Sequence, residues 1–421
     1  MNFNTLCVHA GNNPDETGAR QIPIHQSTSF IFKSTEHAAN LFALKELGYI
    51  YSRLTNPTIG ALQERMAALE GGVGAVACAS GHAAQLTAFH NLLQSGDEFI
   101  ASKKLYGGSI NQFKNSFKQF GWQVKFVDTD DLQAIKDAIT DKTKFIFIES
   151  IANPAGTISD IEAIANLSHE HGMPLVVDNT VATPYLCKPI EFGADIVINS
   201  TTKFISGNGA SVGGAIVDAG KFDWAASGNY PLLTTEDPSY HGLNFYGAFE
   251  GLAFTFRSIA VGLRDLGAVM APMNAFITML GSETLPLRMQ QHSANAQKAA
   301  EYLAKHSKVE WISYIGLKDS PYADLAKKYL PRGCGAVFTF GIKGGDEAGK
   351  ALVNNCKLFS HLANIGDSRS LIIHPSSTTH SQLSDEEKAN AGATPDVVRV
   401  SIGIEDPVDI VADLDQALAG I

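Results

Sequence analysis

Four short stretches of the chain hold side chains of reactive type at positions where an α/β protein can use them. Lys203 closes Ser200-Thr201-Thr202-Lys203, directly after the apolar run ADIVINS and before the glycine-containing Phe204-Ile205-Ser206-Gly207-Asn208-Gly209. A lysine just past a buried strand is desolvated. That lowers its pKa and leaves an amine able to form an imine, while neighbouring hydroxyls can bond phosphate oxygens. Most lysines are only solvated surface charges, and position is what separates this one from them. Asp178 ends the run PLVVDNT. An unpaired carboxylate is costly to bury, so it faces solvent, caps a helix or meets a cation, and a protonated ring nitrogen is one such cation. In Ser80-Gly81-His82 the glycine permits a tight turn, and the free N–H groups of the helix that follows can hold a phosphate, although Ser-Gly caps are common without one. Tyr106-Gly107-Gly108 offers an aromatic ring for stacking on a flat ligand, with an ordinary core tyrosine as the plainer alternative.

These residues need strands to carry them. From about Gly71 the chain alternates short apolar runs with helical patterns. Strands are expected at Gly74–Ala79, Glu98–Ser102, Gln123–Val127, Lys144–Ser150, Pro174–Asn179, Ile196–Ser200 and Gly214–Asp218. Runs such as FIFIES and PLVVDN are continuously apolar, as in strands covered on both faces. Helices intervene, among them HAAQLTAFHNLLQ and DIEAIANLSHEHG, the latter started by Ser159-Asp160 and stopped by Gly172. The alternation predicts a doubly wound, mostly parallel sheet with its site outside the carboxyl ends of the strands. Before it lies a Gly/Pro/Asn-punctuated arm. After about Asp218 come a Gly/Pro/Tyr/Asn-rich stretch, long helical patterns from about Gly251 to His306, and a smaller α+β unit with strands in CGAVFTFGI and VVRVSIGI.

Composition narrows the classes of function. The chain has 421 residues, more than one core usually covers, with 45% hydrophobic and 18% charged residues. Its net charge of -11 disfavours nucleic acid and acidic membranes as partners. The five cysteines are scattered and never spaced C-x-x-C, which favours a reducing, cytoplasmic compartment over a disulfide framework or zinc ribbon. Met1-Asn2-Phe3-Asn4 has no signal-peptide pattern, and no stretch is apolar enough to span a membrane. Rival motifs fail on context. Gly344–Lys350 (GGDEAGK) lacks the P-loop Ser/Thr, since Ala351 stands there. Gly209–Gly213 (GASVG) precedes a strand, the reverse of a nucleophile elbow. Ser200–Lys203 spells SxxK but ends a strand, and His169-Glu170-His171 has no spacing for zinc.

Taken in order over nearly the whole chain, TLCVHAG, YSRLTNPT, ASGHAA, LYGG, ESIANPAG, VVDNT, NSTTKFISGNG, IGDSRSLIIHPSSTTH and VRVSIGIED resemble the Cys/Met-metabolism family of pyridoxal-phosphate enzymes. That family has the fold-type-I, aspartate-aminotransferase-like architecture. The resemblance implies an α/β fold with a mostly parallel seven-stranded sheet sandwiched by helices, plus a smaller α+β C-terminal domain. Residues 1–55 would be an arm contacting a neighbouring subunit, 56–255 the large cofactor domain and 256–421 the C-terminal domain.

By the same resemblance pyridoxal 5'-phosphate is the cofactor, no metal is needed, and Lys203 holds it as a Schiff base. Asp178 pairs with the ring nitrogen, Tyr106 stacks on the ring, and Asn153 lies near the ring oxygen. Gly81 and His82 give backbone N–H groups to the phosphate, and Ser200 and Thr202 their hydroxyls. Tyr51 and Arg53 reach the phosphate of a neighbouring subunit's site, which implies dimers that share active sites within a homotetramer. Arg399 grips the substrate carboxylate, with Glu149 and Asn153 on the same wall and Asn364 also among the substrate-binding residues. The implied activity is a γ-replacement in methionine and cysteine biosynthesis, turning O-acetyl-L-homoserine plus sulfide or another thiol into L-homocysteine and acetate. A succinyl leaving group and sulfur delivered by a carrier protein stay open. Cystathionine γ-synthesis and methionine γ-elimination use the same cofactor residues. A non-catalytic scaffold is a remoter alternative, opposed by the intact lysine, aspartate and arginine. Three positions depart from many relatives: His82 stands in place of Gln or Met, Asn364 in place of the Ser of related lyases, and Gly108 where methionine γ-lyases tend to carry Cys. The segment from about Phe222 to Glu283 resembles an extension typical of acetylhomoserine-using members.

Overall fold

The structure, a computed structural model, describes residues 1–421. Its centre is a seven-stranded sheet of β1 (Gly74–Cys78), β2 (Glu98–Ser102), β3 (Gln123–Val127), β4 (Thr143–Glu149), β5 (Leu175–Asp178), β6 (Ile196–Asn199) and β7 (Gly214–Asp218), in the order β1-β7-β6-β5-β4-β2-β3. Every pairing is parallel except those of β7, which runs antiparallel between β1 and β6. The expected strands are all present, within a residue or so at each end.

Alternation along β4 shows why its sequence is apolar throughout. Phe145 and Phe147 pack on one face of the sheet, in a cluster with Phe89, Phe99, Phe113 and Phe117. Ile146 and Ile148 face the other way, into the larger core shared with helix Pro57–Glu70 and the C-terminal part of the chain. Successive side chains of a strand point to opposite faces, so a strand covered on both must be hydrophobic at every position. Phe89 lies 4.6 Å from Phe145 between ring centroids, and truncating such a fully buried ring costs about 3–5 kcal/mol.

A second sheet is built from β8 (Val309–Ser313), β9 (Val337–Ile342), β10 (Ser360–His361), β11 (Leu371–Ile373) and β12 (Val397–Ser401) in the order β8-β9-β12-β11-β10. It is antiparallel except for β10 with β11. The helical stretch expected from Gly251 to His306 is interrupted. Segments Ala253–Arg257, Ser258–Leu263 and Arg264–Leu266 end at Gly267 in a left-handed conformation, Val269 bridges to Cys78 of β1, and helices Pro272–Glu283 and Leu285–Leu303 follow. Pro272 and Pro286 both sit in first turns, where a missing N–H costs nothing.

The first residues are partly anchored. Helix Phe3–His9 buries Phe3 and Cys7, and the Phe3 ring packs edge-on against Tyr185 at 5.5 Å. Beyond it Ile31 is fully exposed, and Phe42, Leu47 and Tyr49 are largely so. No helix is long and apolar enough to cross a membrane.

Candidate active site

The carboxyl ends of β4, β5 and β6, the loop after β2 and the edge of β12 converge on a cavity of about 250 Å³. Lys203, Asp178, Tyr106, Gly81, His82, Ser200, Thr202, Glu149, Asn153, Asn364 and Arg399 all line it. Tyr51 and Arg53 do not. Tyr51 is 42% exposed and pairs with Ser29, while the Arg53 guanidinium sits 5.5 Å from the Tyr51 ring and donates to the Arg264 carbonyl.

Lys203 follows β6 in a turn whose carbonyl and N–H groups are satisfied locally, including Lys203 N–H to Ser200 O at 3.2 Å. Its Nζ donates to Asn364 Oδ1 at 2.5 Å. Burial, with the positive charge of Arg399 added, pushes the amine down to about 8. Asp178 closes β5: Oδ1 accepts from the Thr180 N–H at 3.0 Å and Oδ2 from Gln85 Nε2 at 3.4 Å. Burial raises its pKa against those bonds. Glu149, closing β4, accepts from the N–H groups of Tyr106 (2.7 Å, Oε1) and Asn153 (2.9 Å, Oε2). Burial first, then repulsion from Asp178, holds the Glu149 carboxyl well above the usual range. The two carboxylates stand at the ends of neighbouring strands in one cavity.

Arg399, on β12, is buried, and burial pushes it down to about 10. Its Nη1 donates to Asn153 Oδ1 at 3.3 Å and Nη2 to the Asn364 carbonyl at 3.1 Å, so one face of the guanidinium fork is fixed. A planar fork held this way suits a carboxylate.

At the other end, helix Gly81–Leu92 is capped by Ser80, whose Oγ accepts from the Ala83 N–H at 3.1 Å and whose carbonyl accepts from the Ala84 N–H. The N–H groups of Gly81 and His82 donate to nothing in the protein. Glycine is required at the first of them, because a Cβ at Gly81 would stand 2.9 Å from Ser200 Cβ. The Thr202 hydroxyl is committed to Gly213, accepting from its N–H at 3.0 Å, and the Ser200 hydroxyl makes no bond in the protein. The His82 ring lies 5.9 Å from that of Tyr106, and its Nε2 is enclosed without a partner.

Sequence reasoning missed Gln85, Ser109 and Thr180. Gln85 bridges Ser109 Oγ (3.0 Å) to Asp178, and Thr180 Oγ1 accepts from the Ser200 N–H at 2.8 Å. Gln85 shares its helix with His82, Thr87, His90 and Asn91, so no local signal set it apart.

Residues 4–419 match the model of the Cys/Met metabolism PLP-dependent enzyme family. The O-acetyl-L-homoserine sulfhydrylase 1 of Thermus thermophilus is 50% identical over 422 residues, spanning all of both chains. The O-acetyl-L-homoserine sulfhydrylase of Leptospira meyeri is 48% identical over 99% of this chain and 96% of its own. A solved structure from Campylobacter jejuni, assigned as an O-acetylhomoserine (thiol)-lyase and carrying N'-pyridoxyl-lysine-5'-monophosphate, superposes with a TM-score of 0.97 at 40% identity over the full length of both. The residues fit that group: unpartnered N–H donors at a helix start for a phosphate, a depressed lysine for an aldehyde, and a buried carboxylate lacking a cation for a ring nitrogen. With its fold, its cavity and its relatives in agreement, the chain belongs to the Cys/Met metabolism family of PLP-dependent enzymes.

Proposed function

We propose that the enzyme replaces the γ-acetoxy group of O-acetyl-L-homoserine with sulfide or another small thiol, giving L-homocysteine and acetate. The observation that carries this reading is the single cavity holding a depressed Lys203, an uncompensated Asp178 and a half-satisfied Arg399 fork. The names of relatives at 43–50% identity agree with it. Bound pyridoxal phosphate would supply an electron sink for charge developing at the substrate Cα and Cβ.

The chain's own residues do the rest. Arg399 binds the α-carboxylate, and its bonds to Asn153 and Asn364 set the angle at which the substrate lies. The Lys203 amine, partly neutral at neutral pH, removes the α-proton and later returns it. Asn364 Oδ1 holds that amine in place between transfers. Asp178 keeps the ring nitrogen protonated, and Gln85 and Thr180 orient the carboxylate. Gly81 and His82 N–H groups, with the free Ser200 hydroxyl, hold the phosphate, Thr202 framing the turn from Gly213. Tyr106 would stack on the ring, while Glu149 anchors both Tyr106 and Asn153 by their backbones. At Cγ the C–O bond to acetate breaks and acetate leaves as the anion, while a C–S bond forms to the entering thiol, whose proton is given up to water.

Tyr51 and Arg53 are outside this cavity and half exposed, which supports their reaching a neighbouring subunit's phosphate in a homotetramer of site-sharing dimers, with residues 1–55 as the arm, 56–255 as the cofactor domain and 256–421 as the C-terminal domain. All five cysteines are free, which supports a reducing, cytoplasmic setting.

The test is product analysis with O-acetyl-L-homoserine in the presence and absence of sulfide. Homocysteine formed only with sulfide is the expected result. Equal 2-oxobutyrate and ammonia in both tubes would make the enzyme a γ-lyase and remove the proposal.

A further inference from the structure

Behind the cavity, on the opposite face of the sheet, lies a buried carboxylate that the reaction above does not use. Glu70 is the last residue of helix Pro57–Glu70 and is wholly enclosed. A carboxylate at a helix C-terminus faces the negative end of the backbone dipole, and burial adds a desolvation cost. Its hydrogen bonds come from side-chain amides. Oε1 accepts from Asn199 Nδ2 at 2.7 Å and from Asn179 Nδ2 at 3.0 Å, and Oε2 from Asn179 Nδ2 at 3.2 Å. Asn179 continues the chain of bonds, donating to the Cys187 carbonyl at 3.0 Å and accepting from Ser150 Oγ at 2.8 Å.

Each of these partners stands one residue from a group that lines the cavity. Ser150 follows Glu149, Asn179 follows Asp178, and Asn199 precedes Ser200. Side chains alternate faces along a strand, so what points into the cavity and what points to Glu70 are consecutive residues on β4, β5 and β6. The packing agrees: Val176 and Ile198 lie in the core on the cavity side, and Val177 and Val197 in the core on the Glu70 side. The last backbone bonds between these strand ends are Ser150 N–H to Asp178 O (3.0 Å) and Asn179 N–H to Ile198 O (2.8 Å). Where that ladder stops, the amide–carboxylate cluster continues it.

We propose that Glu70 is a positioning residue for the reaction, fixing the ends of β4, β5 and β6 against one another through Ser150, Asn179 and Asn199, and with them Glu149, Asp178 and the Ser200–Lys203 turn. Burial pushes the Glu70 carboxyl up to about 7, with the amide donors pulling it down. An ionised carboxylate accepts every bond those amides offer, whereas a neutral acid would oppose a hydroxyl to donors. A buried carboxyl at the wrong end of a helix, kept in a cluster that backs three of the strand ends facing the cavity, is a local cost of the kind found at functional sites.

The inference rests on the cavity being the cofactor site, and the experiment separates the two. Holoenzyme carrying Glu70→Gln keeps the side chain's size but sets an NH2 group among amide donors. It is expected to lower kcat about 10- to 100-fold with KM for O-acetyl-L-homoserine near wild type, and to move the pH midpoint of the lysine-bound cofactor's visible band. Adding Asn199→Asp restores an acceptor opposite that donor and is expected to recover much of both readouts. Ile164→Ala, in a buried position of helix Ile161–Glu170, provides a protein destabilised without removing any of the cluster's hydrogen bonds. A folded Glu70→Gln protein with wild-type kcat and band midpoint overturns the proposal, as does a double variant that recovers only Tm. Should Glu70→Gln not fold, Asn199→Ala removes a single arm and is read the same way. A wild-type protein that shows no lysine-bound band at all would sink the cofactor reading instead.

Discussion

Gly108 shows how closely the reactive face is packed. It lies in the short helix Gly107–Asn111, where alanine can adopt the same backbone. A Cβ there would come 2.4 Å from Tyr106 Cε1, 2.8 Å from Tyr106 Cζ and 3.0 Å from His82 Cε1. Carbon atoms rest about 3.5–4.0 Å apart, so the Tyr106 ring must retreat by about 1 Å. The ring can do so, because Tyr106 is 40% exposed and is held through its backbone N–H to Glu149. The stability cost of Gly108→Ala is therefore within about 1–3 kcal/mol. The catalytic cost is larger, since a displacement of about 1 Å in a positioning group lowers rate about 100-fold. Steady-state kinetics with O-acetyl-L-homoserine and sulfide, beside a thermal melt, check both halves. Gly60→Ala is the control: it sits in helix Pro57–Glu70 with open space at its Cβ, and is expected to gain about 0.5–1 kcal/mol without kinetic change. A folded Gly108→Ala protein with wild-type kcat/KM would refute the packing argument.

Three further outcomes are expected. Lys203, pushed down to about 8, is ammonium below that pH and reactive amine above it. At pH 7 about a tenth is neutral, against about one in 3,000 for an ordinary lysine. Reconstitution of apoenzyme with pyridoxal phosphate should accelerate with pH and level off above about 8; an increase continuing toward 10.5 would remove the burial argument. Arg53→Ala and Lys203→Ala proteins, each inactive alone, should regain activity when unfolded and refolded together, and no recovery would count against shared sites. Asp413, whose carboxylate accepts from the N–H groups of Lys357, Leu358 and Phe359 at 2.9–3.1 Å, is remote from the cavity. Asp413→Ala should cost about 1–3 kcal/mol in denaturant unfolding while kcat is unchanged.

The strands of the large sheet were legible because both faces are buried, which makes runs such as FIFIES continuous and their ends sharp; β2, β3 and β7 fall where the sequence puts them. The direction of β7 was not legible, since its wedging between β1 and β6 depends on long-range pairing. Breaks at Gly267 and Pro272 were written in the chain but hidden by the apolar periodicity around them. β8, β10 and β11 went unread: β10 and β11 are only two and three residues long, and β8 (VEWIS) is partly exposed with polar residues interleaved. In the site, Lys203, Asp178, Gly81 and Tyr106 stood out as polar residues at apolar strand ends. Gln85 and Glu70 did not, because each is one of several polar residues on its helix and its partner lies on another element, Gln85 93 residues from Asp178 and Glu70 109 from Asn179.

The Lys203–Asn364 bond spans 161 residues, and the Arg399–Asn153 bond spans 246. This chain's own part of the cradle, from Gly81 to Gly213, is synthesised before Arg399 leaves the ribosome. Domains fold as units, N-terminal first, during synthesis. A growing polypeptide can thus own a cofactor pocket while it has no means to grip a substrate, and the vitamin-derived group can serve as a template on which the remaining chain docks.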